Sequence, residues 1–396
     1  MRGFLVALGL SLMGGCVSVD FATGASGAGA SDTGSGGSAG SAQGAGGAGA
    51  GGSALGGAGG MVPTGGSGGE ECANTNTAEH CGECFHNCEG GECVAGACGA
   101  APMLADPIGS PAGLVVAEGR VFWLTEGAAS QRGVWRLSVD ADPAVDEPTR
   151  VVKDTSGFKI IYHQGRLYWS HSTVNHAPAD ASEAMPLNVQ GIECIGHLAF
   201  DSVERLTCRD YDMDEPATAQ EKLARFMAGA PPTAGNVDSA WASQYYSSIS
   251  GIAIDGDTVY FGRGAGLSTM STLTGVVSLV GSGGPPVQGD VVVHGGNVIF
   301  GDVSASDPDT LKSLEIGSAP PVITVLASGY TAHHIHVDDE FIYFAGASTN
   351  LIRRYNRSAQ AIDALIEVPG DVKGIAGDAK YVFATVGGGG LSRIVK

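Results

Sequence analysis

The sequence has little positive charge and no apolar run long enough to span a membrane. Only 21 lysines and arginines stand against 41 aspartates and glutamates, which gives a formal net charge of −20. Without a basic stripe, nucleic acid and direct docking on anionic lipid headgroups are disfavoured. The apolar run near the N-terminus extends only from Phe4 to Leu12, whereas a spanning helix needs about 20 such residues. This run therefore predicts a secretory signal.

The signal ends in small residues that precede a cysteine. Gly14 and Gly15 stand before Cys16, with a methionine where leucine is more usual. This arrangement resembles the lipobox of bacterial lipoproteins, which implies that residues 1–15 are a cleaved signal peptide and that Cys16 carries lipid. Because no aspartate follows the cysteine, the resemblance to Gram-negative lipoproteins implies export to the outer membrane. The alternative is an ordinary signal peptide with an incidental cysteine.

Aromatic residues and charges are almost missing from residues 22–69, which consist nearly entirely of glycine, alanine and serine. Such a segment cannot bury enough surface to offset its chain entropy. Residues 16–69 are therefore expected to form a lipidated N-terminus and a flexible tether with a mean span of roughly 35–40 Å. The tether would hold the rest of the chain off the membrane, facing outward.

Cysteine is concentrated in residues 70–99. Of nine cysteines, one is assigned to the anchor, and the even number that remains favours disulfides in an exported protein. Six lie in this segment: Cys72, Cys81, Cys84, Cys88, Cys93 and Cys98. The HCGECFHNC core resembles the cysteine-rich modules of the Stig1 type in bacterial surface lipoproteins. All connectivities of three bridges stay open, and the alternative is zinc bound by ligands at the spacing of His80, Cys81, Cys84 and His86.

The remaining two cysteines are Cys194 and Cys208. They flank a predicted strand, turn and strand with the sequence IGHLAFDSVERLT. Because their side chains can meet across that hairpin, we expect a bridge between them.

From position 101 onward, helical periodicity is missing and a period-2 strand pattern repeats. The unit is a short apolar strand, a tight turn and a second apolar strand that ends in an aromatic pair. Its seven copies begin at Gly113, Lys159, His197, Gly251, Asp290, His334 and Gly374. Further strands follow most copies, and four strands at a spacing of roughly 40–54 residues are typical of a propeller blade.

The aromatic pairs resemble those of the YWTD and TolB-like surface propellers, and the resemblance spans residues 100–396. We expect an all-β fold with a seven-bladed β-propeller; six blades would require the degenerate third copy to be an insertion. The last copy has only three strands, while an unassigned APMLADPIGSPAG segment precedes the first. We therefore expect residues 102–106 to complete the last blade and to remove an exposed edge.

The start of the innermost strand is polar in several copies. This position should lie near the mouth of the central channel, and His336 shares a strand face with His334. The candidate ligand-binding residues are Lys159, His197, Asp290, His334 and His336. Two interpretations stay open: these side chains bind a ligand or a transition metal, or they hydrate a water-filled channel.

A second candidate site is acidic. Asp210, Asp212 and Asp214 alternate, and Glu221 follows Asp210 by eleven positions, which is the spacing of a calcium-binding loop. Calcium is the one cofactor that the sequence suggests. Glu215 stands where such loops place glycine, so a solvated acidic loop is the alternative.

The sequence shows no nucleophile with a paired base and no cofactor motif, so no catalytic residue is assigned. We expect a surface lipoprotein whose propeller binds a surface protein or a glycan without catalysis, with no nucleic acid partner. The alternatives are a propeller lyase or hydrolase with its site at the channel mouth, and a structural envelope protein. A fold this widely used does not decide between them.

Overall fold

In the described part of the chain, the regular structure consists of β-strands. A computed structural model describes residues 76–78, 80–81, 87–94, 96–103, 108–189, 194–211, 221–226, 238, 246, 248–280, 285–303 and 309–396. All regular elements within these ranges are strands, and no helix in them is long and apolar enough to cross a membrane. Several sequence-based predictions concern residues outside these ranges: the signal peptide, Cys16, the tether, Cys72, Cys84, His86, residues 104–106 of the closing segment, Asp212 and Asp214.

Short strands precede the propeller. They are β1 (Asn76–Thr77), β2 (His80–Cys81), β3 (Cys93–Val94), β4 (Ala97–Cys98) and β5 (Ala101–Pro102).

The first three blades follow in chain order. Blade 1 contains β6 (Ser110–Ala117), β7 (Arg120–Glu126), β8 (Gly133–Ser138) and β9 (Thr149–Lys153). Blade 2 contains β10 (Ile160–His163), β11 (Arg166–Ser170), β12 (Val174–Pro178) and β13 (Leu187–Val189). Blade 3 contains β14 (Cys194–Phe200), β15 (Leu206–Tyr211) and β16 (Glu221–Arg225).

The other four blades complete the propeller. Blade 4 contains β17 (Ile249–Asp255), β18 (Thr258–Arg263), β19 (Gly266–Ser271) and β20 (Val277–Leu279). Blade 5 contains β21 (Val287–His294), β22 (Asn297–Asp302), β23 (Thr310–Glu315) and β24 (Ile323–Ser328). Blade 6 contains β25 (His334–Val337), β26 (Phe341–Ala345), β27 (Leu351–Asn356) and β28 (Ala361–Glu367). Blade 7 contains β29 (Val372–Gly377), β30 (Tyr381–Val386) and β31 (Gly390–Val395), together with β5.

The seven sheets form a seven-bladed β-propeller, as the repeats predict. Each sheet is antiparallel, and the first strand of each blade contacts the first strand of the next, with β29 returning to β6. The second strands are almost fully buried, and their aromatic residues pack between neighbouring blades. In one such contact, Phe122 of blade 1 packs in a cluster with Trp169 of blade 2. Burial of one such side chain contributes about 1.5–3 kcal/mol.

The last blade is closed by the N-terminal side of the domain. β5 pairs with β31 in the register Pro102 to Ser392 and Ala101 to Arg393. The N–H of the buried Met103 then donates to the carbonyl of Leu391 at 2.8 Å. The expected closure is confirmed, but the closing strand begins one residue before the segment 102–106 and covers only two residues.

The cysteine-rich segment packs against blade 7. Disulfides join Cys81 to Cys93 and Cys88 to Cys98, so the Cys81 sulfur is not a free thiolate for the zinc site that His80, Cys84 and His86 would share. Cys81, Cys88 and Cys98 are buried in the same apolar cluster as Tyr381 and Trp123, and the partly buried Cys93 packs against it. Glu89 adds a polar contact, because it accepts a hydrogen bond from the Tyr381 hydroxyl at 2.8 Å. The segment thus contributes to the core of the propeller.

Blade 3 has three strands among the residues that the structure describes. The expected bridge between Cys194 and Cys208 is present, and both cysteines are fully buried. It joins the innermost strand of the blade to the second strand across the hairpin. The degenerate third copy is therefore a blade and not an insertion.

Candidate functional site

Four of the five candidate residues occupy equivalent positions in or next to the innermost strands of their blades. Each stands four positions before the hairpin turn of its own blade, as with His334 before Asp338. Lys159, His197, Asp290 and His334 come from blades 2, 3, 5 and 6. Together with the neighbouring His333, we call these residues the polar ring.

Irregular pairing positions two of these side chains. The register of β14 on β15 shifts between Cys194 and Leu198, and the register of β21 on β22 shifts between Val287 and Val291. His197 and Asp290 lie inside these two irregular segments. An extra residue in a strand re-aims the local side chains. Sequence reasoning missed this device, because period-2 alternation does not reveal where one residue is added.

Glycine brings blades 5 and 6 together beside Asp290. Gly289 has φ +81°, and a Cβ at this position would lie 2.3 Å from the carbonyl oxygen of His333. Only glycine tolerates this backbone without strain. The contact is extended by the N–H of Asp290, which donates to the same carbonyl at 2.8 Å. This close approach places the Asp290 carboxylate at the start of β25.

The centre of the polar ring is an ion pair. The Lys159 ammonium lies 2.5 Å from Oδ1 of Asp290, and Nδ1 of His197 lies 3.6 Å from the same oxygen. Oδ2 of Asp290 accepts the N–H of Ile335 at 3.1 Å. The side chains of Lys159, Asp290 and His197 stay 25%, 15% and 17% exposed. The pair is therefore satisfied internally and is not completely buried.

Burial decides the charge of the imidazoles. Burial, with the Lys159 ammonium as the second cause, lowers the pKa of both His197 and His334 to about 3. Burial also lowers the pKa of His333. Burial alone would raise the pKa of Asp290, but Lys159 and the histidines outweigh it and hold that pKa far below its ordinary value. At neutral pH the ring therefore contains one cation, one anion and neutral imidazoles.

Within the polar ring, two imidazole nitrogens have no hydrogen-bond partner among the described residues. They are the buried Nδ1 atoms of His333 and His334, whose rings lie 5.0 Å apart. Sequence reasoning missed His333, because it precedes the repeated strand. The signal that could have identified it is its place beside His334 in the run HHIH.

His336 is not part of the polar ring. It lies two residues nearer the hairpin turn, about 7 Å along the strand, and its Nε2 faces Gly377 of blade 7. Burial and then Lys396 lower its pKa to about 4. Asp338 and Asp378 raise this pKa to a smaller extent, and His294 lowers it further. None of these neighbours belongs to the polar ring, so the shared strand face does not bring the two sites together.

The acidic loop of blade 3 is only partly described. Asp210 and Glu221 lie on the paired strands β15 and β16, and Asp210 lies 3.4 Å from the ammonium of Lys222. Glu221 is buried, 2.7 Å from the guanidinium of Arg209, and accepts the N–H of Ile249. Asp212 and Asp214 lie outside the described residues. Both described members of the proposed calcium set are thus engaged with cations of their own blade.

Within the described part of the chain, only one group brings three metal-binding atoms within 4.8 Å of one another. It consists of Cys81, Cys88 and Cys98, which are disulfide sulfurs. In the polar ring, no three of the imidazole nitrogens and carboxylate oxygens come that close together, although Nδ1 of His197 lies 3.6 Å from Asp290. Its geometry is therefore arranged for hydrogen bonding with Lys159 at the centre, and not for three ligands around one ion.

Comparison with known proteins identifies the fold. No family model matches the chain, and no curated protein matches it. Among solved structures, a catalytically inactive variant of virginiamycin B lyase from Staphylococcus aureus with quinupristin aligns at a TM-score of 0.54 and 10% identity, over 75% of this chain and 98% of that chain. The β-propeller domain of Cps50 (Swd1) from Myceliophteria thermophila aligns at 0.54 and 10%, over 75% and 100%.

A third similar structure is the CNH domain of AfRom2, with a TM-score of 0.51 and 10% identity, over 76% of this chain and 98% of that chain. Similarity at this level of identity shows the β-propeller fold. One of the three is a lyase by its name, and the other two are named as domains without an activity, so the fold alone does not decide between catalysis and binding.

Proposed function

We propose that this chain is an outer-membrane lipoprotein whose propeller binds a glycan at the polar ring without converting it. The observation that carries the proposal is the Lys159–Asp290 ion pair surrounded by neutral imidazoles, two of which have an unpartnered buried nitrogen. These groups come from four different blades, so the assembled propeller creates the site.

The charge balance of the polar ring favours an uncharged ligand that both donates and accepts hydrogen bonds. The ammonium of Lys159 offers donors, and the carboxylate of Asp290 offers acceptors. Each neutral imidazole offers one of each. Sugar hydroxyls match this mixed set, because every hydroxyl both donates and accepts. A ligand with net charge would gain nothing from a ring whose own charges cancel.

The basicity of the ring disfavours catalysis by proton abstraction. An efficient general base has a pKa near the working pH, whereas the pKa of His197 and of His334 is lowered to about 3 by burial. No residue of the polar ring carries a hydroxyl or a thiol that would serve as nucleophile. We therefore favour binding, and we keep a lyase or hydrolase as the alternative that the experiment must exclude.

Binding is tested with the full chain and a panel of neutral tetrasaccharides built from glucose or N-acetylglucosamine. We expect one of them to bind, and Lys159→Gln to weaken its Kd about tenfold or more, because a hydrogen bond to a charged group is lost. Lys153→Gln, on the outer strand of blade 1, is the matched control. Mass spectrometry of each tetrasaccharide after incubation with the protein shows whether the sugar has been converted. A shortened or unsaturated product would establish the enzyme alternative, and failure of the whole panel would refute glycan binding.

The anchor is tested separately. Cys16→Ser should release the exported protein into the soluble fraction, because acyl chains on that thiol would be the membrane anchor. A Cys16→Ser variant that stays in the membrane fraction would contradict the lipoprotein assignment. Since the polar ring is untouched, its sugar affinity should not change.

A further inference from the structure

A cavity of about 580 Å³ opens at the hairpin-turn end of blades 5, 6 and 7. It lies on the far side of His336 from the polar ring, and we call it the turn-end pocket. Its titratable walls include His294, His336, Asp338, Asp339, Asp378 and Lys396. The volume lies in the range of small-molecule sites.

The wall of the turn-end pocket is rigid. Asp338 accepts the backbone N–H groups of Glu340 and Phe341, and Asp378 caps the next turn in the same way. Lys396 lies 2.5 Å from Asp338 and is only 12% exposed, so it neutralises that carboxylate. Aspartates in hairpin turns commonly stabilise the turn through such backbone hydrogen bonds. This structural role does not account for the carboxylates of the pocket that have no lysine or arginine partner among the described residues.

Three carboxylates of the turn-end pocket keep an uncompensated charge. No lysine or arginine within the described residues forms an ion pair with Asp339, Glu340 or Asp378; Asp339 is 98% exposed and contacts Nε2 of His294 at 3.0 Å. The nearby Arg357 donates to the main-chain carbonyls of Asp338 and Asp339 instead of to a carboxylate. The pocket therefore attracts a cation.

An unpartnered nitrogen points to a hydrogen-bonded ligand in this pocket. Nε2 of His336 is buried and has no partner among the described residues. It packs against Gly377, where an added Cβ would lie 2.6 Å from this nitrogen. Burial and then Lys396 lower the pKa of His336 to about 4. The imidazole is thus neutral at pH 7 and presents an acceptor as well as a donor.

We infer that the turn-end pocket binds a primary ammonium group, which donates to His336 and pairs with the carboxylates of Asp339 and Asp378. A diamine and a lysine side chain of a partner peptide present the same group. This site is independent of the glycan proposal, since it shares no residue with the polar ring.

Calorimetry with the full chain tests the inference. The probes are 1,5-diaminopentane, a tripeptide with a central lysine and blocked ends, and the same tripeptide with an acetylated lysine. We expect the acetylated peptide to be inert. Binding of both other probes would show that the ammonium is sufficient, and binding of one alone would identify a free amine or a peptide as the source. Failure of both at millimolar concentration overturns the inference.

Variants locate the binding. Asp339→Asn should raise the Kd of the bound probe about threefold to fivefold, as expected for an exposed ion pair. Asp180→Asn, an exposed aspartate of blade 2, removes the same charge elsewhere and should leave the Kd within about twofold. Equal effects of both variants would show a general charge effect and overturn the site.

Gly377→Ala provides a steric test. Its Cβ would collide with His336 and with the carbonyl of Tyr381, so the imidazole must move and amine binding should be lost. The melting temperature shows whether the variant is folded. A folded variant with unchanged affinity would contradict the role of His336, and an unfolded one leaves the decision to Asp339→Asn.

Discussion

Blade 3 and blade 7 each provide only three strands of their own within the described residues, and the chain compensates for this in opposite ways. Blade 7 takes β5 from the far end of the domain and adds the cysteine-rich segment with the Glu89 contacts. Blade 3 is held locally, by the bridge between Cys194 and Cys208 and by the buried pair of Glu221 with Arg209.

The interiors of the two blades differ accordingly. The second strand of blade 7, Tyr381–Val386, is buried along its whole length and almost wholly apolar. Blade 3 buries two carboxylates, Asp201 and Glu221, with Thr207 and Arg225, whereas the buried polar side chains of blade 7 are Thr385, Ser392 and Arg393. A missing strand can thus be replaced by distant pairing with an apolar core, or by local covalent and ionic links. Blade 7 should therefore be destabilised by truncation of the chain, and blade 3 by point substitutions.

Truncation should have the largest effect. A chain that begins at residue 107 loses β5 and exposes the edge of β31, so we expect a melting temperature lower by about 10 °C or more, with association through the open edge. A chain that begins at residue 99 keeps β5 and loses only the cysteine-rich segment. Its melting temperature, measured by calorimetry, should lie between that of the chain from residue 107 and that of the full protein. Equal melting of the chains from 99 and 107 would show that β5 does not close the ring.

Removal of the buried charge in blade 3 should have the next largest effect. Glu221→Gln keeps an acceptor for the N–H of Ile249 but leaves Arg209 partly buried and unpaired, which should cost about 3–4 kcal/mol in urea unfolding. Glu367→Gln, on the outer strand of blade 6, is the control and should change little. If both variants unfold at the same urea concentration, the buried pair does not stabilise blade 3.

The disulfide of blade 3 should contribute somewhat less. Its bridge spans 14 residues, and the double variant Cys194→Ala, Cys208→Ala should lose about 2–3 kcal/mol. Hydrogen exchange should show the loss in blade 3, while blade 7 keeps its protection. An equal loss of protection in all blades would mean that the propeller unfolds as one unit and that the disulfide stabilises the whole domain.

Acid should open blade 3 before blade 7. Burial lowers the pKa of His197 to about 3, below the ordinary 6.5 of an unfolded histidine. The unfolded state thus binds the extra proton, so stability is complete above about pH 6.5 and falls toward pH 3, by up to about 1.4 kcal/mol per pH unit. Blade 7 contains no histidine of its own, although His336 of blade 6 packs against its Gly377. Amide hydrogen-exchange rates at pH 7 and pH 5.5, corrected for the intrinsic rates, measure the loss of protection in each blade. Equal losses in blades 3 and 7 would exclude His197 as the cause.

The sequence was sufficient for the fold because every blade repeats one hairpin. Seven aligned copies predict seven blades, and the strand missing from the last copy predicts the closure. The bridge between Cys194 and Cys208 was visible for the same reason, since both flank one hairpin. The docking of the cysteine-rich segment was not visible, because its contacts join Glu89 to residues near the opposite end of the chain.

The candidate site was only partly predictable. Alignment brought Lys159, His197, Asp290 and His334 to one level, but their contacts depend on shifted registers and on the close approach at Gly289. His336 shares the strand face of His334 but packs against Gly377, outside the polar ring. The turn-end pocket was not predicted, because short polar residues in a hairpin turn are explained by their bonds to the local backbone. The wall of the pocket also depends on Lys396, which is far from Asp338 in sequence and contacts it in the folded propeller.

The strand that closes the ring is also where the preceding chain enters the propeller. A mechanical pull on the N-terminal side must therefore pass through the segment crosslinked by Cys81–Cys93 and Cys88–Cys98 before it reaches β5. The crosslinked loops cannot lengthen, and the Glu89 contacts with Tyr381 and Arg393 carry part of the load directly to blade 7. The segment thus gives the N-terminal chain a second attachment to blade 7, beside the two residues of β5.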